Sequence, residues 1–343
     1  MDHPVVLTGL RANTRLQLGN YFGALLPAID TAKNKSDNYS IYLFIPDLHS
    51  FTTPIDHSEL KSNITTNLRY FVATGLPINK KNVYLYRQSY IPAHSELTWI
   101  LNCFTGVGEL SRMTQYKDKS KANAGERVSA GLFDYPVLMA SDILLYDALY
   151  VPVGEDQTQH LEFTRNLAQR MNKLFNKNLF TVPHEVKKQH SFFGNDQGLK
   201  IKDLLDPIKK MSKSADNEKG VIFLDDDPEA AYDKIMSATT DNLTAIKYNP
   251  EKQPGISNLM LISSLISQKP VSSIEAKYNK STSYKDFKSD VAGQVRDFLR
   301  NLQDNYAKID MDGVMSTIVA SEEKLNQQAN LKLLQVQKTL GLR

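Results

Sequence analysis

Apolar residues recur along this chain with two periods. Val5 to Gly9, Ile41 to Ile45 and Val83 to Tyr86 are short, nearly continuous apolar runs, the pattern of strands covered on both faces. Between them lie segments of helical period: Leu18 to Ala32, with Tyr21, Leu25, Ile29 and Ala32 on one stripe, and Leu60 to Ala73. A further helix starts near Pro92 and His94-Ser95-Glu96. Strands alternating with helices predict parallel βαβ units, an α/β fold with helices on both faces of a doubly wound parallel sheet. Tyr135 to Tyr146 and Glu155 to Leu174 read as helices, with a strand at Tyr150 to Val153 between them. Tyr116 to Arg127 is polar and charged and reads as an exposed connection, and Lys187 to Asp206 as irregular. From Pro228 onward strand signals are scarce, and helical periodicity runs through Leu259–Ile266, Tyr284–Tyr306 and Met311–Leu340. The expectation is a sheet domain over residues 1–237 and a mostly helical C-terminal domain over residues 238–343, whose final helix packs back on the first.

Composition narrows the function classes. A chain of 343 residues with 41% hydrophobic and 23% charged residues is ordinary for a globular protein with a sizeable core. The formal charge of +3 permits an RNA partner without demanding one. Cys103 is the only cysteine, which excludes an internal disulfide and any CxxC metal pair. No two of the seven histidines share metal-ligand spacing on one helix face, so no resident metal is expected. The absence of a signal peptide and of a long apolar run points to the cytoplasm and away from membranes. Asp225-Asp226-Asp227-Pro228 has the look of an acidic metal site, but Asp followed by Pro and Glu229 is better read as a helix start.

Four constellations carry possible chemistry. Lys210-Met211-Ser212-Lys213-Ser214, preceded by Lys209, sets ammonium groups and hydroxyls where they could cradle a polyphosphate; a solvated basic loop is the plainer reading. Thr8 to Asn13 ends the first strand, and Gln17-Leu18-Gly19-Asn20 opens the first helix, whose N-terminus suits an anion; turn formation and close packing would also explain these glycines. Gly154-Glu155-Asp156-Gln157 follows a strand, where carboxylates could receive ribose hydroxyls or simply offset a helix dipole. Tyr135, Met139 and Asp142 fall at i, i+4 and i+7 on one helix face among apolar neighbours. An acid there needs a partner, either a nearby Arg or Lys or a ligand's N–H or O–H.

With these residues in view, the chain resembles the tryptophanyl-tRNA synthetases of bacterial type, within the class I aminoacyl-tRNA synthetases. Lys210–Ser214 is similar to that family's KMSKS loop, and Gly19-Asn20 to the second half of its HIGH-like motif. The run VLMASDILLYDALYVPVGEDQTQHLEFTRNLAQRMN (Val137 to Asn172) follows the family pattern almost residue for residue, and Gly255–Leu259 extends the likeness into the helical half. The resemblance implies a Rossmann-like catalytic domain. It also implies that Arg11, Ala12, Asn13, Gly19, Asn20, Gly154, Glu155, Asp156, the Ile201 backbone and the KMSKS residues Lys210, Met211, Ser212, Lys213 and Ser214 contact ATP. Lys119, Lys210 and Lys213 would stabilise the leaving pyrophosphate. Asp142 would receive the indole N–H of tryptophan, with Met139, Tyr135, His49, Gln115 and Gln157 shaping that pocket. Two departures stand out. Ala12-Asn13-Thr14 replaces the family's Pro-Ser-Gly, and Gln17 stands where Thr or His is common, still able to donate to a phosphate.

The implied function is activation of L-tryptophan by ATP, with Mg²⁺ carried in on the nucleotide, and transfer to the 3′ end of tRNA(Trp). A homodimer is expected, with its interface after the third strand and near Cys103, and no DNA partner. A tyrosyl-tRNA synthetase commonly has Gln where Met139 stands; a non-catalytic RNA-binding relative would not need the intact KMSKS run. A dehydrogenase reading lacks a GxGxxG loop with its downstream acid.

Overall fold

A computed structural model of the protein describes residues 3–52, 54–122, 128–154, 157–194, 200–212, 217–243, 245–278 and 283–343, with only the backbone at residues 119, 121 and 122. Strands β1 (Val5–Gly9), β2 (Ser40–Ile45) and β3 (Val83–Arg87) form a parallel sheet in that order, in register from Val5 opposite Ser40 to Ile45 opposite Arg87. Parallel neighbours need long crossovers. The first is α1 (Leu18–Asn20), a π-helical segment Tyr21–Leu25, and α2 (Leu26–Lys35); the second contains α3 (Leu60–Ala73). The pleat sorts alternate side chains to opposite faces. Val6, Ile41, Leu43, Ile45, Val83 and Leu85 join a core with α2 and α3, while Val5, Leu7, Tyr42, Phe44 and Tyr86 join a second core. That second core is closed by α4 (Ala93–Asn102), α7 (Ala130–Leu144) and α8 (Thr158–Leu174). Burial on both faces is why these strands read as continuous apolar runs.

The structure corrects several expectations between β3 and the helical half. Besides the short α5 (Val107–Leu110), it forms α6 over Thr114–Ala122, where an exposed connection was expected. That stretch contains no Gly or Pro and is rich in Lys, so its polarity concealed adequate helix propensity; residues 123–127 lie outside the described residues. The expected strand at Tyr150–Val153 supplies one parallel bridge, Tyr150 to Val6, with the Leu7 N–H donating to the Tyr150 carbonyl at 2.9 Å. Pro152 removes a donor from any longer ladder. The segment expected to be irregular contains α9 (Val186–Phe193). Its fully buried Gln189 accepts from the Val151 N–H (2.9 Å) and donates to the carbonyls of Leu149 (3.0 Å) and His184 (2.9 Å), fastening the extended segment beside β1.

The helical half consists of α10 (Pro228–Met236), α11 (Pro254–Ser267), α12 (Val271–Tyr278), α13 (Tyr284–Ala307) and α14 (Met311–Leu340). Asp227 caps α10 by accepting the N–H groups of Glu229 (3.0 Å) and Ala230 (2.9 Å), and Pro228 holds the first helical position. Asp225 and Asp226 pair with Arg15, so the acidic run is a cap and an ion-pair cluster. Helices α10 and α11 pack on α13, and α14 lies along β3 and α4. Polar ties hold α14 there, three of them to Arg87, Tyr42 and Asp147. Glu322 takes the Arg87 guanidinium at 2.7 and 2.8 Å, Gln328 accepts the Tyr42 hydroxyl at 2.8 Å, and Lys332 reaches Asp147 at 2.6 Å. No helix of the described residues is long and apolar enough to cross a membrane.

Candidate active site

A cavity of about 420 Å³ opens at the carboxyl ends of the strands, where ligands bind in sheets of this type. Gly9, the last residue of β1, and Phe44, the last but one of β2, line it; a Cβ on Gly9 would stand 3.2 Å from the Phe44 ring, so glycine leaves that ring its place. The wall comes from α7, which starts at the Ser129 cap (Leu132 N–H to Ser129 Oγ, 3.1 Å) and presents Tyr135, Met139 and Asp142 on one face. His49, Gln115, Gln157, Arg11 and Gly154 line the same cavity. All six residues implied to surround the amino-acid ring therefore meet in one place.

Asp142 is 1% exposed, yet it borders the cavity. Its partners are neither Arg nor Lys. Oδ1 receives Gln88 Nε2 and His94 Nδ1, each at 2.7 Å, and Oδ2 receives His49 Nε2 at 2.9 Å. Burial pushes the carboxyl up, but the hydrogen bonds from His49 and His94 outweigh it, leaving Asp142 below its ordinary value and ionised. The Tyr135 hydroxyl is tied to His160 Nε2 at 2.9 Å, which fixes that ring against the cavity. Gln88 and His94, both fully buried, were not among the sequence candidates. Two polar side chains just after an apolar strand and at the start of a buried helix were the available signal.

A second group gathers the two nucleotide motifs. Residues 16–18 pair with 222–224: the Leu18 N–H donates to Ile222 O (3.0 Å) and the Leu224 N–H to Leu16 O (2.9 Å). Residues 202–210 fold back as a narrow bridge, with the Met211 N–H on Ile201 O (3.0 Å). A Cβ on Gly19 would lie 3.7 Å from the Ile201 Cβ, so the helix opening and this strand touch. Gln17 Nε2 donates to Met211 O at 2.8 Å, and its side chain is buried. Gln17, which the sequence reading left able to donate to a phosphate, thus gives one of its two amide N–H groups to the neighbouring strand. Met211 and Ile201 are buried, so a ligand would meet their backbones only, while Lys210 and Ser212 are exposed. Lys213, Ser214, Glu155 and Asp156 lie outside the described residues, as does the side chain of Lys119. Gly19, Asn20, Ile201 and Lys210 do not line the 420 Å³ cavity.

The loop between these groups is held from α3. Asn67, 2% exposed, donates to the carbonyls of Ala12 (2.7 Å) and Thr14 (2.8 Å), and Asn63 to that of Asn13 (3.3 Å). Ala12 itself is in the core, so its ligand-facing contribution is limited to backbone. Asn258 of α11 pins the narrow bridge, exchanging hydrogen bonds with Lys202 N (2.8 Å) and O (2.9 Å). Among the described residues, no three His, Cys, Asp or Glu side chains form a metal-binding group.

Comparison with known proteins gives a consistent family. The model for tRNA synthetases class I (W and Y) matches residues 1–300. The tryptophan–tRNA ligase of Malacoplasma penetrans is 42% identical over 98% of this chain and 98% of its own length. The crystal structure of tryptophanyl-tRNA synthetase from Mycoplasma pneumoniae superposes with a TM-score of 0.83 at 34% identity, covering 99% of this chain and 98% of that one. That from Campylobacter jejuni, complexed with ADP and tryptophan, gives 0.78 at 28% identity, covering 98% and 100%.

Proposed function

The chain belongs to the class I tRNA synthetases (W and Y), and on that premise we propose that it is a tryptophan–tRNA ligase. It activates L-tryptophan with ATP to tryptophanyl-adenylate and transfers the aminoacyl group to tRNA(Trp). The observation that carries this reading is Asp142, a buried carboxylate held in its ionised form that lines the cavity beside Met139, Tyr135 and His49. Such a group takes one N–H donor and penalises a ring that lacks it. Met139 supplies a polarizable thioether for the indole face.

The tryptophan carboxylate attacks the α-phosphate of ATP and pyrophosphate leaves. No covalent enzyme intermediate is required, so the protein works by positioning and charge stabilisation. Arg11 and Gly154, which line the cavity, would bridge the amino-acid and nucleotide ends. Gly19, Asn20, Asn13 and the Ile201 backbone, with Glu155 and Asp156, would hold adenosine. Lys119, Lys210 and Lys213 would offset charge growing on pyrophosphate, alongside Mg²⁺ bound to the nucleotide. Residues 238–343 would form the tRNA-binding domain, acting in the cytoplasm. A homodimer would use the face on which Trp99 and Val107 are each 72% exposed and Cys103 is exposed.

ATP–pyrophosphate exchange with each amino acid tests the reading. Exchange that depends on tryptophan, with charging of tRNA(Trp), is expected; exchange driven by tyrosine, or by no amino acid, would reject it.

A further inference from the structure

Gln88 opens the short turn after β3, and His94 lies in the first turn of α4. Both are 0% exposed and neither lines the cavity, so neither can touch a bound amino acid. A carboxylate only accepts hydrogen bonds, so Gln88 Nε2 and His94 Nδ1 are the donors in their 2.7 Å contacts, and both go to the same oxygen, Asp142 Oδ1. The far ring nitrogen of His94 is 3.3 Å from the Tyr146 hydroxyl, which can donate to it. The His94 carbonyl accepts the hydroxyl of Ser141, the residue before Asp142, at 2.8 Å. Two elements from the far side of the wall thus grip α7 at this point.

Gln88 shows what the grip is for. Its Oε1 is buried and accepts no hydrogen bond among the described residues. An unpaired buried carbonyl is costly, and a residue needed only to fill space would be apolar. Gln88 is therefore held for its N–H group. On the other oxygen the only donor among the described residues is His49, from the turn Leu48–Thr52, and His49 lines the cavity. His49 N–H takes one of the two acceptor positions of that oxygen and leaves the other for a ligand's N–H.

We propose that Gln88 and His94 are positioning residues for amino-acid selection: by saturating Oδ1 they lock the Asp142 rotamer and leave Oδ2, which takes one donor from His49, as the oxygen with room for the substrate's N–H. This rests on the reading that Asp142 receives the indole N–H. Rotation of the carboxylate would carry Oδ1 toward the ligand only by breaking two buried hydrogen bonds.

The test is the ratio of kcat/KM for tryptophan to that for its benzothiophene isostere, whose ring has sulfur in place of N–H. Gln88→Met keeps volume and removes the donor; His94→Leu does the same at the ring, and His94→Asn restores a donor near the Nδ1 position. Gln88→Met and His94→Leu are expected to lower the ratio about tenfold, mainly through KM for tryptophan, with KM for ATP unchanged. His94→Asn should stay within about threefold of the unmodified protein. Equal losses for both amino acids in Gln88→Met would mean a merely structural role and overturn the proposal. Asp142→Asn separates the layers. If it leaves the ratio intact, the N–H reading itself fails; if it collapses the ratio while Gln88→Met and His94→Leu do not, only the positioning role fails.

Discussion

The proposed amino-acid end and the proposed phosphate end of the site are built on opposite terms. At the first, Asp142 is buried and gripped by side chains from the turn after β2, the turn after β3 and α4. At the second, the Lys210 side chain is exposed and makes no hydrogen bond or ion pair among the described residues; only the strand beneath it is fastened, through Met211 to Ile201 and Gln17. Discrimination needs a preset acceptor in dry surroundings, because its power comes from the cost of leaving that acceptor unpaired. Neutralising pyrophosphate and then releasing it favours cations that stay hydrated until the substrate arrives. On the proposed roles, the molecule separates selection from charge handling by how tightly each group is held.

The sharpest way to break this contrast is at the rigid end. Asp142→Ala is expected to lower kcat/KM for tryptophan about 10³-fold, roughly 4 kcal/mol, while ATP affinity holds. Steady-state exchange kinetics check it, and a change in ATP KM of similar size would merge the two ends. Next comes the exposed end: Lys210→Ala should cost about 10²-fold in the rate of adenylate formation with tryptophan KM intact. Stopped-flow measurement of the adenylate step gives the number, and a normal rate would remove Lys210 from the chemistry.

The sequence was legible where burial is local and dual. β1, β2 and β3 showed because both faces are covered, and α3 and α14 because their stripes are long. The cap at Asp227 showed because capping is a matter of three neighbouring residues. Helix α6 was hidden by its own charge, and α9 by a buried Gln189 two of whose partners are 38 and 40 positions away on the segment beside β1. The site divided in the same manner. Tyr135, Met139 and Asp142 share a helix face and could be grouped from spacing; His49, Gln115 and Gln157 needed the family resemblance. Gln88 and His94 escaped because they meet Asp142 from 54 and 48 positions away, and Asn67 because its targets are loop carbonyls 55 and 53 positions back. Spacing rules see one element at a time, and these contacts join elements.

A smaller effect sharpens the boundary between the two ends. Gln17 departs from the family's usual residue, and its amide is tied to Met211 O. Gln17→Met keeps bulk, leaves that buried carbonyl without its donor and loosens the strand that carries Lys210. KM for ATP should rise about tenfold with tryptophan KM unchanged. A parallel rise in both would show that the tie steadies the whole site and not only the phosphate end.

The smallest effect expected is in acid. Asp142 sits below its ordinary carboxyl value of 3.8, because the bonds from His49 and His94 outweigh burial. A carboxyl lowered by folding contributes stability that is full above its unfolded value and is lost as the pH falls through its folded one. The groups facing it are His49, His94 and the hydroxyls of Tyr86 and Tyr146. Other lowered carboxyls, such as Asp241 and Asp290, act equally in any Asp142 variant and cancel in a difference. Asp142→Asn should therefore be the less stable protein at neutral pH, with the gap in Tm closing by about 2 °C or more as the pH falls from about 5 to about 3. Parallel melting curves across that range would mean that the carboxylate is not held ionised by its histidines, and the rigid end would lose its electrostatic basis.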